Sequence, residues 1–196
     1  ELPVGEFISQ GLEKEVPEAA RTLLESNVKD EIKHDLALGF IVESHGADPI
    51  AEMEAIRLRD AWIQHPDHTI TKALVAERAI FFVLLPMFRF LGDAALRTVS
   101  ADISRDEQIH VATNSLVCRE LGLVPSNSLD KLRKATISWV LQPLKTSPDK
   151  HLDKSFWLDA SDRLMYEGKA PQFADTKAAR MPAFFEHANT NLPQYA

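Results

Sequence analysis

The chain has one cysteine in 196 residues, Cys118. No internal disulfide can form, so the fold must rest on burial. Cys118 follows Leu116 and Val117 in an apolar run and reads as core rather than as a reactive thiol. No apolar run reaches the roughly 18 residues that a transmembrane helix requires, so no membrane association is expected. The start shows no signal-peptide pattern, and the expectation is a soluble, cytoplasmic protein. The first residue is Glu rather than Met, which leaves the native start open. Basic residues are in deficit: 22 Lys and Arg face 29 Asp and Glu, a net charge of −7. That argues against a general nucleic-acid binder. Tyrosine is scarce, with only Tyr166 and Tyr195. No long alternating strand pattern occurs anywhere.

What is present is helical. Hydrophobic residues make up 45% and charged residues 26%, as in a globular protein with a real core. One domain over 1–196 is expected, with a bundle over about 1–122 and C-terminal helices and tail over 123–196. Apolar periodicity and breakers predict helices over 2–15, 17–44, 49–64, 69–91, 94–121, 128–144 and 153–166, with a short one around Phe184–Phe185. The 49–64 helix reads as a crossover between two hairpins. The 69–91 segment is apolar nearly all round and should be buried, with a kink at Pro86. A charge there, Glu77, is costly unless paired or metal-bound. His65, Asp67 and His68 surround a proline and read as solvated turn residues rather than a metal site.

Two short motifs carry chemistry. Glu31-x-x-His34 and Glu107-x-x-His110 each put a carboxylate and an imidazole on one helix face. A lone pair of this kind recurs by chance on solvated helices. Here each has a Glu upstream at one spacing: Glu1 lies 30 residues before Glu31, and Glu77 lies 30 before Glu107. At about 1.5 Å per residue, such a span is a helical hairpin that returns to the same level. A four-helix bundle holding two metal ions in its core requires this set of residues. Glu6 is a second candidate for the first carboxylate. Phe81 and Ile103, one turn from Glu77 and Glu107, fall on the ligand faces.

At these residues the chain resembles the small, radical-generating subunit of ribonucleotide reductase, within the ferritin-like di-iron carboxylate superfamily. Ile103-Ser104-Arg105-Asp106-Glu107-Gln108-Ile109-His110 is similar to that family's I-S-R-D-E-x-x-H. Glu77 to Phe82, Val16-Pro17-Glu18-Ala19, Glu1 to Glu6, Tyr166 to Lys169 and Phe184-Phe185-Glu186 match weaker family segments. The resemblance implies an all-α, ferritin-like four-helix bundle with a crossover helix and extra C-terminal helices. It implies two iron ions, or a manganese–iron pair, on Glu1, Glu31, His34, Glu77, Glu107 and His110. Asp106 matches the acid that hydrogen-bonds a ligand histidine, and Phe81 and Ile103 match the apolar lining. The family's radical tyrosine falls at Leu38, so tyrosyl-radical storage is not expected.

The expected activity is that of an O2-activating di-metal oxidoreductase. The alternative is a structural or assembly protein that keeps the bundle and the site for stability. Expected partners are a second copy, a larger protein complex, or a large reductase subunit.

Overall fold

The computed structural model describes residues 2–14 and 16–173. Glu1, the segment around Phe184–Phe185 and Tyr195 lie outside the described residues. The described chain forms α1 (Val4–Leu12), α2 (Glu18–His45), α3 (Pro49–Gln64), α4 (Thr69–Ala76), a π-helical turn (Glu77–Phe81), α5 (Phe82–Leu91), α6 (Ala94–Glu120), α7 (Asn127–Val140) and α8 (Lys154–Glu167). Among these residues there is no strand, only an isolated bridge between Lys145 and Asp153. The fold is all-α. No described helix is long and apolar enough to cross a membrane.

Local chemistry sets the boundaries. The side chains of Asp48, Asp93, Ser126 and Asp153 accept from backbone N–H groups in the first turns of α3, α6, α7 and α8. Such caps satisfy donors that have no partner within the helix. His68 does the same for α4 through Nδ1. His65 Nδ1 accepts from the Asp67 N–H, and Asp67 accepts from the Ser126 N–H. The His65–His68 cluster is thus built of half-buried capping residues, rather than solvated ones. Helix α7 stops at Val140 instead of running to 144, because Pro143 lacks an N–H and disfavours helix at the residue before it.

The helices α1, α2, α6 and α4 close a ring, each packed on the next, with α5 continuing α4 along α6. Helix α3 carries the chain from α2 across to α4 and packs on α7. The core holds Phe7, Ile8, Leu24, Ile70, Ile80 and Leu129, all fully buried. Every residue of α4 is buried, as its apolar sequence requires. The departure from regular geometry in this helix is at Glu77–Phe81, where the Phe82 N–H reaches back five residues to the Glu77 carbonyl. Pro86 lies further on, inside α5.

The C-terminal helices back this π turn. Ser161 Oγ on α8 donates to the Ala79 carbonyl at 2.6 Å, and Arg78 Nε donates to the Leu164 carbonyl at 2.8 Å. Behind Ser161 stands Arg133 of α7, fully buried. It donates to Ser161 Oγ at 2.6 Å and to Asp130 and Asp162 at 2.7 Å each. Removing one partner from a buried charge network leaves the others uncompensated. We expect Arg133→Ala to cost about 3 kcal/mol of stability, read as a shift of the urea midpoint. A loss under about 0.5 kcal/mol, the range of a surface substitution, would show that the network carries little.

Candidate metal centre

Helices α2 and α6 run side by side, and their two motifs face each other across the bundle axis. Glu31 and His34 come from α2, Glu107 and His110 from α6, and Glu77 from the first residue of the π turn. All five side chains are buried. Glu31, Glu77, Glu107 and His110 offer ligand atoms that lie within 4.8 Å of one another. His34 stands beside this group, its ring centre 5.8 Å from that of His110.

Two carboxylates reach both histidines. Glu107 Oε1 is 3.5 Å from His34 Nδ1, while Glu107 Oε2 is 3.5 Å from His110 Nδ1. Glu31 Oε1 lies 3.0 Å from His110 Nδ1 and 3.6 Å from His34 Nδ1. Glu77 belongs to one end, with Oε1 3.8 Å from His110 Nδ1. The arrangement has two shared carboxylates in the middle, Glu77 and His110 at one end, and His34 at the other. The His34 end lacks a terminal carboxylate among the described residues, and Glu1 lies outside them. Glu6 is exposed on α1 and does not join the cluster. Helix α1 nevertheless presses on the centre: a Cβ at Gly5 would stand 3.1 Å from Glu31 Cβ.

Both imidazoles turn Nδ1 inward and Nε2 outward, and each Nε2 meets an aspartate from the opposite helix. Asp106 Oδ2 is 3.2 Å from His34 Nε2, and Asp30 Oδ2 is 3.7 Å from His110 Nε2. Each aspartate directly precedes the other motif's glutamate. Asp30 was not singled out from sequence, although its signal was there: Asp-Glu-x-x-His occurs twice. Asn114 was also missed. Its Nδ2 donates to Glu77 Oε2 at 2.7 Å and fixes that carboxylate. Asn114 lies one turn beyond His110, but its role needs Glu77 to arrive from another helix, which no local pattern reports. Leu38, Phe81 and Ile103 line a cavity that also touches His34 and Glu107.

The electrostatics are those of a site short of positive charge. Glu31 Oε1, Glu77 Oε1, both Glu107 oxygens and the two Nδ1 atoms are buried without a hydrogen bond. Each such atom ordinarily costs about 1–3 kcal/mol. Burial pushes the Glu77 carboxyl well above the usual range, and the Glu107 carboxylate adds to this. Burial alone would lower His34, but Glu107, Glu31 and Asp106 outweigh it and raise it to about 10. His110 is likewise raised to about 10, against burial, by Glu107 and Glu31. Cys118 does not belong to this chemistry: burial pushes its thiol up to about 11.

These residues could hold a metal ion. The unpartnered atoms are carboxylate oxygens and imidazole nitrogens, donors that suit iron or manganese, and they face one another. In the metal-free chain protons supply the missing charge. Their contribution to stability from the two histidines is full below about 6.5 and is lost as pH rises through about 10. Metals bind the neutral imidazole, so loading must displace these protons. We therefore expect affinity for Mn(II) to rise steadily between about pH 6 and 8, with protons released on loading. A pH-independent affinity would mean that the imidazoles are already neutral. Asp106→Asn should weaken metal binding by about tenfold, because Asp106 is hydrogen-bonded to the His34 ring and orients it. Full affinity in that variant, measured by competition with a chelator, would remove that role.

In comparisons with known proteins, no family model, curated protein or solved structure matches the chain.

Proposed function

We propose that the protein is a ferritin-like di-metal oxidoreductase, akin to the ribonucleotide reductase small subunit, that activates O2 at a di-iron or manganese–iron centre. The observation that carries this reading is the convergence of Glu31, His34, Glu77, Glu107 and His110, with six buried donor atoms left unpartnered toward one another. When bound, a reduced metal pair supplies the electrons for O2 reduction. The chain's own residues do the rest. Glu31 and Glu107 each reach toward both histidines and would help to hold the group. Asp106 holds the His34 imidazole with Nδ1 inward, and Asp30 faces His110 Nε2 at 3.7 Å. Asn114 steadies Glu77.

The surroundings favour oxidation of an apolar molecule over storage of a tyrosyl radical. Leu38 occupies the position one turn after His34, and it lines the adjoining cavity. Tyr166, on α8, donates its hydroxyl to Asp130 on α7 at 2.6 Å, in the network behind the π turn.

A second reading, a structural protein within an assembly, draws support from the outer face of α2. Ile32, Leu36 and Phe40 recur one turn apart there, each more than half exposed. Contiguous apolar surface of this kind marks association sites. A second copy, a larger complex or a large reductase subunit would each cover it.

Metal analysis of the purified chain separates the two readings. The expected result is about two iron or manganese ions per chain, as the two-ion bundle pattern requires, with O2 uptake after anaerobic loading with Fe(II). Glu107→Ala should fall below one ion per chain, because this side chain reaches both positions. Unchanged stoichiometry in that variant would sink the assignment, and a stable metal-free assembly would leave the structural reading in its place.

A further inference from the structure

We propose that the cavity beside the centre binds an apolar small molecule with one anionic end, which Arg59 holds at the cavity mouth. As the substrate class of the centre, this rests on the metal reading; the binding itself needs only the cavity.

The cavity has a volume of about 390 Å³, within the range usual for ligand sites, about 300–1,000 Å³. His34 and Glu107 stand at its inner end, and Leu38, Phe81, Leu84 and Ile103 are among its walls. Helix α3 closes the outer side with Ala55, Leu58 and Arg59. Apart from the centre, few polar groups touch this space, and most are already engaged. Thr136 Oγ1 accepts from Trp62 Nε1 and donates to the Leu132 carbonyl. Trp139 Nε1 donates to Glu54 at 2.7 Å. Arg59 is the exception. Among the described residues its only ion pair is to the adjacent Asp60, at 3.2 Å, with both side chains nearly half exposed. A pair of this kind contributes little, and a guanidinium has further N–H donors to give.

Arg59 is also held in place. It lies three residues before Trp62, on the same side of α3. Trp62 is the buried anchor of that helix. Lys72, itself buried, donates to the carbonyls of Trp62, Ile63 and His65 at 3.1, 3.1 and 3.3 Å and so fastens the end of α3 that carries Arg59. The mouth thus presents a cation and the interior presents hydrocarbon. At the inner end Glu107 stands 3.5 Å from the His34 ring and offsets its charge, so that end does not draw an anion as Arg59 does. A molecule with one anionic end must then enter with its apolar end toward the centre.

The test is calorimetric titration of the metal-free full chain with dodecanoate and with uncharged dodecanol. Dodecanoate should bind, and Arg59→Gln should weaken it about tenfold, the scale of a lost charge-assisted hydrogen bond. Dodecanol should bind both proteins alike. Ala55→Phe, which fills the cavity from α3, should weaken both probes. Arg59 is an exposed side chain, so its variant keeps the fold, which circular dichroism checks. Failure of dodecanoate to bind the wild-type chain overturns the proposal. So does equal binding to Arg59→Gln, or binding only after metal loading, which would put the carboxylate on the ions instead. The metal-free readout keeps the two ideas apart. A chain that binds dodecanoate but takes up no metal leaves this site standing without its chemistry. A chain that loads two ions but binds neither probe refutes the site alone.

Discussion

Three carboxylates and two imidazoles are buried at one level of an apolar helical bundle, and much of the structure answers to that fact. Bringing carboxylates into a medium of low dielectric is costly unless a positive charge comes with them. The nearby guanidinium groups are engaged elsewhere: Arg78 bonds the Leu164 carbonyl and Arg133 bonds Asp130 and Asp162. No Lys or Arg neutralises the cluster among the ion pairs seen. Protons on the histidines meet the need in the metal-free chain, and two divalent ions would meet it more fully. Hydrophobic burial elsewhere must carry the cost. Helix α4, buried along its whole length directly before Glu77, does part of that.

The π turn fits the same demand. It begins at Glu77, and such turns recur at functional sites. A π turn shifts the phase of the helix, so residues before and after it face the core from one segment. It is held from behind by Ser161 and Arg78, through bonds that cross to α8. The C-terminal helices are therefore not an appendage to the bundle. They pack against the segment that carries Glu77.

Local spacing made much of this legible in the sequence. Glu-x-x-His lies within one helical turn, so Glu31 with His34 and Glu107 with His110 could be read without tertiary knowledge. The 30-residue interval joined Glu77 to Glu107 because a hairpin is nearly local too. Most helix ends followed from apolar periodicity and its breakers. What escaped were pairings between distant segments: Asp30 with His110, Asn114 with Glu77, Ser161 with Ala79. The π turn escaped as well, because periodicity reports that a helix exists and not how tightly it is wound. The end of α7 was misjudged where apolar periodicity was followed past a legible proline, Pro143.

The two motifs are nearly equivalent, and the difference between them gives the centre its direction. Each reads Asp-Glu-x-x-His, and each aspartate faces the histidine of the other helix, Asp106 at 3.2 Å and Asp30 at 3.7 Å. One turn beyond His34 stands Leu38; one turn beyond His110 stands Asn114. Asn114 spends its N–H on Glu77, and the His110 end is sealed, with that imidazole 1% exposed. Leu38 offers no hydrogen bond and instead forms cavity wall beside His34. A polar residue at position 38 would bring an unsatisfied group into that wall or draw water toward the carboxylates. An apolar residue at 114 would release Glu77. The same helical position thus has opposite chemistry at the two ends, and an apolar molecule has one side from which to approach.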